Sequence, residues 1–402
     1  MMASKLEANI WKFYVIAGLS GFVLYYVLDK VFMNLRGLSV TEIILVEIVF
    51  SVTVLLFEVP SGALADRWSR KNVLVLNEVF FILNTLIWVL SHSLTFFILG
   101  AIAGAIHMAL VSGTFTSMVY DTLRQLGREH EYEKIYGSIL FYGGILGVAA
   151  GILGGMIAAQ FGITIPFWLT IGVIFTALLI TILLQEPQIH RTTGEMDYWK
   201  HIANTFRFVS RHPFLRHLAA IMAIISATFF LMDEYMQLYF VSVGVPIFFL
   251  GYLGGLANTI GAFAGRFSYL LNRFSRRNVY SLFILISAIG FLLTAYFGSP
   301  VGIAFTFLPI LATFAIMPLL LSDLHRELSS SQRATGESFV NFLKALMFIP
   351  LGFLFGYFSD HVSIFVAYGS VGVVLSFYFL FYFLVSYRRI PDKREFLTSS
   401  TR

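Results

Sequence analysis

Apolar residues gather into long stretches divided by turn signals. Hydropathy places twelve of them at about 12 to 35, 41 to 64, 72 to 91, 95 to 121, 134 to 159, 165 to 185, 214 to 240, 247 to 270, 278 to 297, 301 to 322, 335 to 358 and 363 to 386. A helical crossing takes about 20 residues, and tilt plus a short turn raise that to roughly 33, so 402 residues make room for about a dozen crossings and little else. The predicted fold class is an all-α integral membrane protein with twelve transmembrane helices in two six-helix bundles. Residues 1–185 are read as the amino-terminal bundle, 186–213 as a linker, 214–386 as the carboxy-terminal bundle and 387–402 as a tail. Lys12 and Asp29 break the opening run and no small-residue cleavage site follows it, so span 1 is expected to be a retained signal anchor.

Composition points to lipid as the solvent. Hydrophobic residues make up 58% of the chain and charged residues 12%, against roughly 45 to 50% and about 25% in an ordinary soluble domain. With 43 Phe and a mean hydropathy of +0.82, the chain has more apolar surface than one water-soluble core could hide. A plasma or bacterial inner membrane is the expected location. The absence of Cys excludes disulfides, thiolate metal sites and a Cys nucleophile, and no metal or cofactor is expected.

A net charge of +5 and a pI near 9.2 would suggest a nucleic-acid partner in a soluble chain, but here the basic residues follow the loops, and no nucleic acid is expected. Of 27 Lys and Arg, three (Lys30, Arg266 and Lys344) fall within spans and one, Arg36, lies on the loops after odd-numbered spans. The remaining 23 lie in the amino-terminal segment, the tail and the loops after even-numbered spans, counting Lys12, Lys134 and Arg216 at the span ends that adjoin them. That asymmetry places both termini in the cytoplasm. In the linker, Trp199, Ile202, Phe206 and Val209 recur at helical spacing with Lys200, Arg207 and Arg211 turned elsewhere, which predicts an amphipathic helix on the cytoplasmic leaflet.

An internal repeat divides the chain. Asp66-Arg-Trp-Ser-Arg-Lys-Asn-Val73, after span 2, recurs 206 residues later as Asn272-Arg-Phe-Ser-Arg-Arg-Asn-Val279, after span 8. Asp121-Thr-Leu-Arg124 is echoed by Asp323-Leu-His-Arg326, and Leu28-Asp29 by Met232-Asp233, at nearly the same offset. Two parallel, pseudo-symmetric halves with a substrate site between them are a transporter architecture. Asp66 can sit against a helix amino terminus, where free amides and the dipole favour an anion, and Arg70 can pair with Asp121.

At Gly62-Ala-Leu-Ala-Asp66-Arg67-Trp-Ser-Arg70-Lys71 the chain resembles the major facilitator superfamily, whose loop signature has a Gly, an Asp four residues on and a basic cluster. The resemblance covers essentially the whole chain in span count, repeat and motif. It implies that Gly62, Asp66, Arg67, Arg70, Asp121, Asn272, Arg276 and Asp323 form conformational latches, with Asp66 capping span 11 near Thr335 and Gly336. Ser69 stands where the family usually has Gly, which should make the turn less permissive, and Asn272 stands for Asp, which should weaken the second latch. The resemblance also places spans 1, 4, 7 and 10 around a central cavity.

Ionisable groups inside spans cost about 2.5 to 3.5 kcal/mol each and mark functional sites by default. Tyr14, Gly18, Gly21, Tyr25 and Asp29 fall at helical steps along one face of span 1. Asp233, with Glu234 beside it and Phe230 and Gln237 on its face, is the repeat mate of Asp29. These acids are the candidates for proton coupling or substrate, with His107 in span 4; Thr114, Thr306 and Thr313 are further cavity-lining candidates. The bland alternatives are that Asp29 pairs with Lys30 and that His107 is a packing residue. Glu58 and Lys344 form a candidate pair between the halves, and Glu47 and Glu78 are weaker candidates. Gly147, Gly151, Gly154 and Gly155 match the spacing of a glycine motif in the family's antiporters, with Ile152 in place of Pro; close helix packing explains them equally well.

The reading is a non-enzymatic secondary transporter, a monomer in the bilayer, that alternates access and exports an amphiphilic or cationic small molecule in exchange for protons. The alternative within transport is a proton-coupled uptake symporter. A membrane sensor or intramembrane enzyme is disfavoured, since the chain has no His-Glu-x-x-His, Gly-x-Ser-x-Gly or phosphate loop and no soluble domain. The charge asymmetry is directly testable. Reporter fusions after Arg128, Arg211 and Arg402 should read cytoplasm, and a fusion between Ser91 and Thr95 should read outside; a cytoplasmic signal there would overturn the topology.

Overall fold

The computed structural model describes residues 2–188, 206–209, 211–329 and 332–387, apart from a few side chains that include those of Asp66 and Arg67. Among the described residues there are helices and turns and no strand. Among the described residues, eleven helices are long and apolar enough to cross a membrane, corresponding to spans 2 to 12. They run Val40–Arg67, Arg70–Leu90, Leu94–Val111 continued by Thr114–Gln125, Tyr132–Phe161, Ile165–Ile182, Pro213–Ser242, Leu250–Phe267, Arg276–Phe297, Ile303–Glu327, Arg333–His361 and Ile364–Phe381.

Span 1 is the exception, and here the expected single helix is corrected. It runs as Met2–Gly21, unwinds over 22–28 and resumes as Asp29–Leu35. Backbone released from a helix inside lipid must find partners within the protein. Tight turns supply some, and the Leu24 amide donates to Thr170 Oγ1 of span 6 at 3.1 Å. The stripe from Tyr14 to Asp29 therefore does not continue through one helix: Tyr14 and Gly18 lie before the break, Tyr25 within it and Asp29 after it. Span 4 is also interrupted, at Gly113, whose φ of +73° is open to glycine at little steric cost.

The signature after span 2 is built differently from a simple loop. Span 2 passes through Pro60 and Gly62 and stays helical to Arg67, so the first half of the motif is the end of the helix. Ser69 then serves as N-cap of span 3, with an extended φ of −160° and its hydroxyl accepting from the Asn72 amide. That conformation needs no glycine, which corrects the expectation of a less permissive turn. Glu186, beyond span 6, accepts from Ser69 Oγ at 2.9 Å, the Arg70 amide at 3.1 Å and the Lys71 amide at 2.8 Å. A carboxylate from a distant part of the chain thus caps the amino terminus of span 3.

The chain separates into two compact units. One comprises Met1–Leu38, Leu45–Gly194 and Pro246–Gly255; the other comprises Ser39–Ile44, Glu195–Val245 and Leu256–Arg402. Each takes in a short piece from the other half of the sequence. In the second unit, the Val40 and Thr41 amides donate to Asp360 at 2.8 and 2.9 Å, and Gly352 and Gly356 leave room for Ile44 and Thr41. In the first unit, Gly251 lies directly on the backbone of Gly151. Of the expected linker helix, Trp199 and Ile202 lie outside the described residues; 206–209 is helical, Val209 is buried, and Phe206 meets Phe339 edge-on at 5.1 Å.

Removing the Glu186 cap should weaken the first unit. Glu186→Ala is expected to lower stability in detergent by about 0.5–2 kcal/mol, and Glu186→Gln, which keeps an acceptor and loses the charge, by less. Denaturant titration of both variants checks this; an unshifted midpoint for Glu186→Ala would show that the cap contributes nothing.

Candidate functional site

The unwound segment of span 1 delivers Asp29 to the start of its short second helix, where it is 5% exposed. Lys30 beside it is 1% exposed and turns its ammonium onto two carboxylates, Asp29 Oδ2 at 2.8 Å and Glu47 Oε1 at 2.5 Å. The Lys30 amide also donates to Asp29 Oδ1 at 2.8 Å. In the first unit this cluster holds two acids and one base. Desolvating three charges is costly, and close contact plus extra hydrogen bonds repay it only in part. The pairing of Asp29 with Lys30, the bland alternative of the sequence reading, is thus present, with Glu47 as an additional partner.

Tyr25, within the break, stacks on Phe167 at 4.2 Å and shares a 3.2 Å hydrogen bond with Thr85 Oγ1. Tyr14, before the break, packs edge-on to Tyr142 of span 5 at 6.2 Å, and Gly18 leaves room for Leu146. His107 stacks on Phe81 at 4.1 Å and lies 3.3 Å from the Asn77 carbonyl through Nδ1, a packed environment of ring and backbone. Thr114 is buried after the interruption at Gly113. Glu58 is exposed.

In the second unit, Asp233 and Glu234 are half-buried in span 7 and act electrostatically on Lys344 of span 11. Lys344 Nζ also lies 4.7 Å from the centre of the Phe230 ring, and that ring meets Phe348 edge-on at 5.0 Å. The aromatic face and the two acids offset part of the cost of burying this ammonium. Gln237 is buried and donates to the Glu234 carbonyl at 3.2 Å. Thr306 and Thr313 are buried in span 10, where the Thr306 hydroxyl is spent on the Ile303 carbonyl at 2.7 Å.

Both units pair the arginine that opens an odd-numbered span with the aspartate near the end of the next span. Arg70 forms an ion pair with Asp121 and donates to the Ser117 carbonyl at 3.1 Å. Arg276 Nε lies 3.1 Å from Asp323 Oδ2, which also accepts from Tyr280 OH at 2.6 Å. Asp323 is fully buried. Gly62 lies in the last turns of span 2, and Asn272 is exposed in the turn before span 9. The expected contact of Asp66 and Arg67 falls on side chains outside the described residues.

Sequence reasoning passed over Tyr280 and Glu186 and ranked Glu47 only as a weaker candidate. Tyr280 sits four residues after Arg276, one helical turn on, and that spacing could have placed both on Asp323. Glu47 and Glu186 reach their partners across turns, so no helical period links them.

Lys30 is the keystone of the cluster. Lys30→Met should destabilise the protein by about 3–5 kcal/mol, because it leaves two buried carboxylates without their cation. Adding Asp29→Asn and Glu47→Gln should restore most of the loss. Melting curves in detergent decide; a single variant as stable as its parent would mean that the cluster is not electrostatically coupled.

The comparisons with known proteins agree with this architecture. The family model described as Major Facilitator Superfamily matches residues 10–349. Inner membrane transport protein YajR of Escherichia coli (strain K12) is 30% identical over 162 residues, 40% of this chain and 34% of its own length. A protein described as an uncharacterized transporter from Buchnera aphidicola subsp. Schizaphis graminum is 29% identical over 164 residues, 40% of each chain. The alignment thus spans well under half the length of these relatives. Among solved structures, a bacterial homolog of the human lysosomal transporter Spinster, in an inward-facing and occupied conformation, has a TM-score of 0.76 at 15% identity, covering 94% of this chain and 96% of that one. A D-xylose-proton symporter has a TM-score of 0.65 at 14% identity, covering 92% and 97%. At such identities these structures speak for the fold alone. Family model, helical architecture and relatives agree: the chain belongs to the Major Facilitator Superfamily of multi-pass secondary transporters.

Proposed function

We propose that this transporter exports an amphiphilic or cationic small molecule in exchange for protons, and that Asp29 carries the coupling proton. The observation that supports coupling is the buried cluster itself, in which Asp29 and Glu47 both contact the ammonium of Lys30. A proton taken up by one of these acids would remove a buried negative charge, and losing it would restore an anionic site for a cation. Asp233 and Glu234 give the second unit its own acids, held near Lys344. His107, enclosed by Phe81 and Asn77, is assigned to packing in this reading.

For direction, the proposal follows the antiporter-like glycine spacing of span 5. In the structure these glycines also allow close packing, with Gly154 directly against the Leu24 carbonyl, so they support export only through the resemblance. Uptake in symport with protons is the alternative, and the presence of a D-xylose-proton symporter among the similar structures keeps it in view. We further propose that the pairs Arg70 with Asp121 and Arg276 with Asp323 act as latches during alternating access, and that both chain termini are cytoplasmic.

A thermal-shift screen of dyes, antibiotics, sugars, amino acids and siderophores identifies a ligand, since binding to the native state stabilises it by mass action. In proteoliposomes, Asp29→Asn should then abolish accumulation of that ligand driven by a pH gradient while counterflow exchange persists. Accumulation equal to the parent's, with the same pH dependence, would remove Asp29 from the coupling role.

A further inference from the structure

The buried acids within the described spans are Asp29, Glu47, Glu78 and Asp323. Lys30 holds the first two and Arg276 holds the last. Glu78, midway along span 3 and 2% exposed, has no cationic partner among the described residues. Its Oε1 accepts from Ser20 Oγ and from Asn77 Nδ2, each at 3.2 Å. Its Oε2 is buried and has no partner. A cavity of about 290 Å³ adjoins this carboxyl between spans 1, 3, 4 and 5, with Ser20, Asn77, Glu78 and Tyr136 as polar members of a largely apolar wall.

Among the described residues, the surroundings supply no compensating charge. From span 4, His107 is turned onto Phe81 and the Asn77 carbonyl, and Asp121 is held by Arg70. From span 5, Tyr136 lines the same cavity. Span 6 has no titratable side chain. In span 1 the contact is Ser20; Tyr14 and Lys12 lie six and eight residues earlier, and Lys12 donates to the Leu183 carbonyl. An ionised carboxylate here would keep one oxygen without donor or cation inside the membrane. That cost far exceeds the cost of a neutral acid with one unsatisfied O–H.

We propose that Glu78 is a proton-binding site, separate from the Asp29 cluster, and that it is protonated in this conformation, with Oε1 as the carbonyl and Oε2 as the hydroxyl oxygen. On release the Oε2–H bond breaks, its electron pair stays on the carboxylate, and the proton passes to water in the adjoining cavity, which has room for several molecules at roughly 30 Å³ each. Ser20 and Asn77 then remain as donors to the anion. The site goes beyond the coupling role proposed for Asp29 and stands whether or not Asp29 couples transport.

Infrared spectroscopy of the purified full-length protein at neutral pH reads the carboxyl itself, without transport. The parent protein should show the carbonyl band of a protonated carboxylic acid. That band should vanish in Glu78→Gln and survive in Asp29→Asn. Ser20→Ala should shift it to higher frequency, because the carbonyl loses a donor. Glu78→Gln matches the neutral acid in shape and should melt with the parent. A band absent from the parent, or unchanged by Glu78→Gln, overturns the proposal; if that variant does not fold, a band unmoved by Ser20→Ala does so.

Discussion

A carboxylate inside a membrane protein persists through a cation, a set of hydrogen-bond donors or a proton, because lipid supplies none of the three. The buried acids here are distributed among these solutions. Asp323 has both Arg276 and the Tyr280 hydroxyl, a closed arrangement suited to holding two spans together. Asp29 and Glu47 share the ammonium of Lys30, two buried acids on one cation. Glu78 has two donors on one oxygen and nothing on the other. In this proposal, the sequence of partners, from complete to incomplete, separates groups that brace the fold from groups that exchange a proton.

The backbone obeys the same rule. Span 1 unwinds over 22–28, and this break sets Asp29 at the head of a new short helix rather than a further turn along the first. Thr170 takes up the Leu24 amide, and Gly154 lets span 5 approach the Leu24 carbonyl. A side chain at Gly154 would collide with that carbonyl, so the glycine run of span 5 and the opening of span 1 are two sides of one contact. Charge placement in the first unit thus depends on small residues more than a hundred positions away.

What the sequence makes legible depends on whether the information is local. The long apolar runs, the repeat of the loop motif, and the pairing of Arg70 with Asp121 each follow from residue type and spacing. The break in span 1 does not, because Gly18 and Gly21 are equally at home in a continuous membrane helix; the partner that makes unwinding tolerable, Thr170, lies in span 6. Lys30 was visible as a charge beside Asp29, but Glu47 reaches it across the turn at Gly37. Ser69 looked like a defect in a glycine position and proves to be a helix cap whose support comes from Glu186. Glu78 was visible only as an acid in a span, because its lack of a cation depends on what the neighbouring helices do not present.

The central claim is that protons and substrate move through this protein in exchange. Purified protein in liposomes loaded with a pH-sensitive dye, supplied with a ligand found to stabilise it, measures this directly. The account predicts substrate-dependent proton flux opposite in direction to substrate movement. Substrate moving with no accompanying proton flux would contradict the claim.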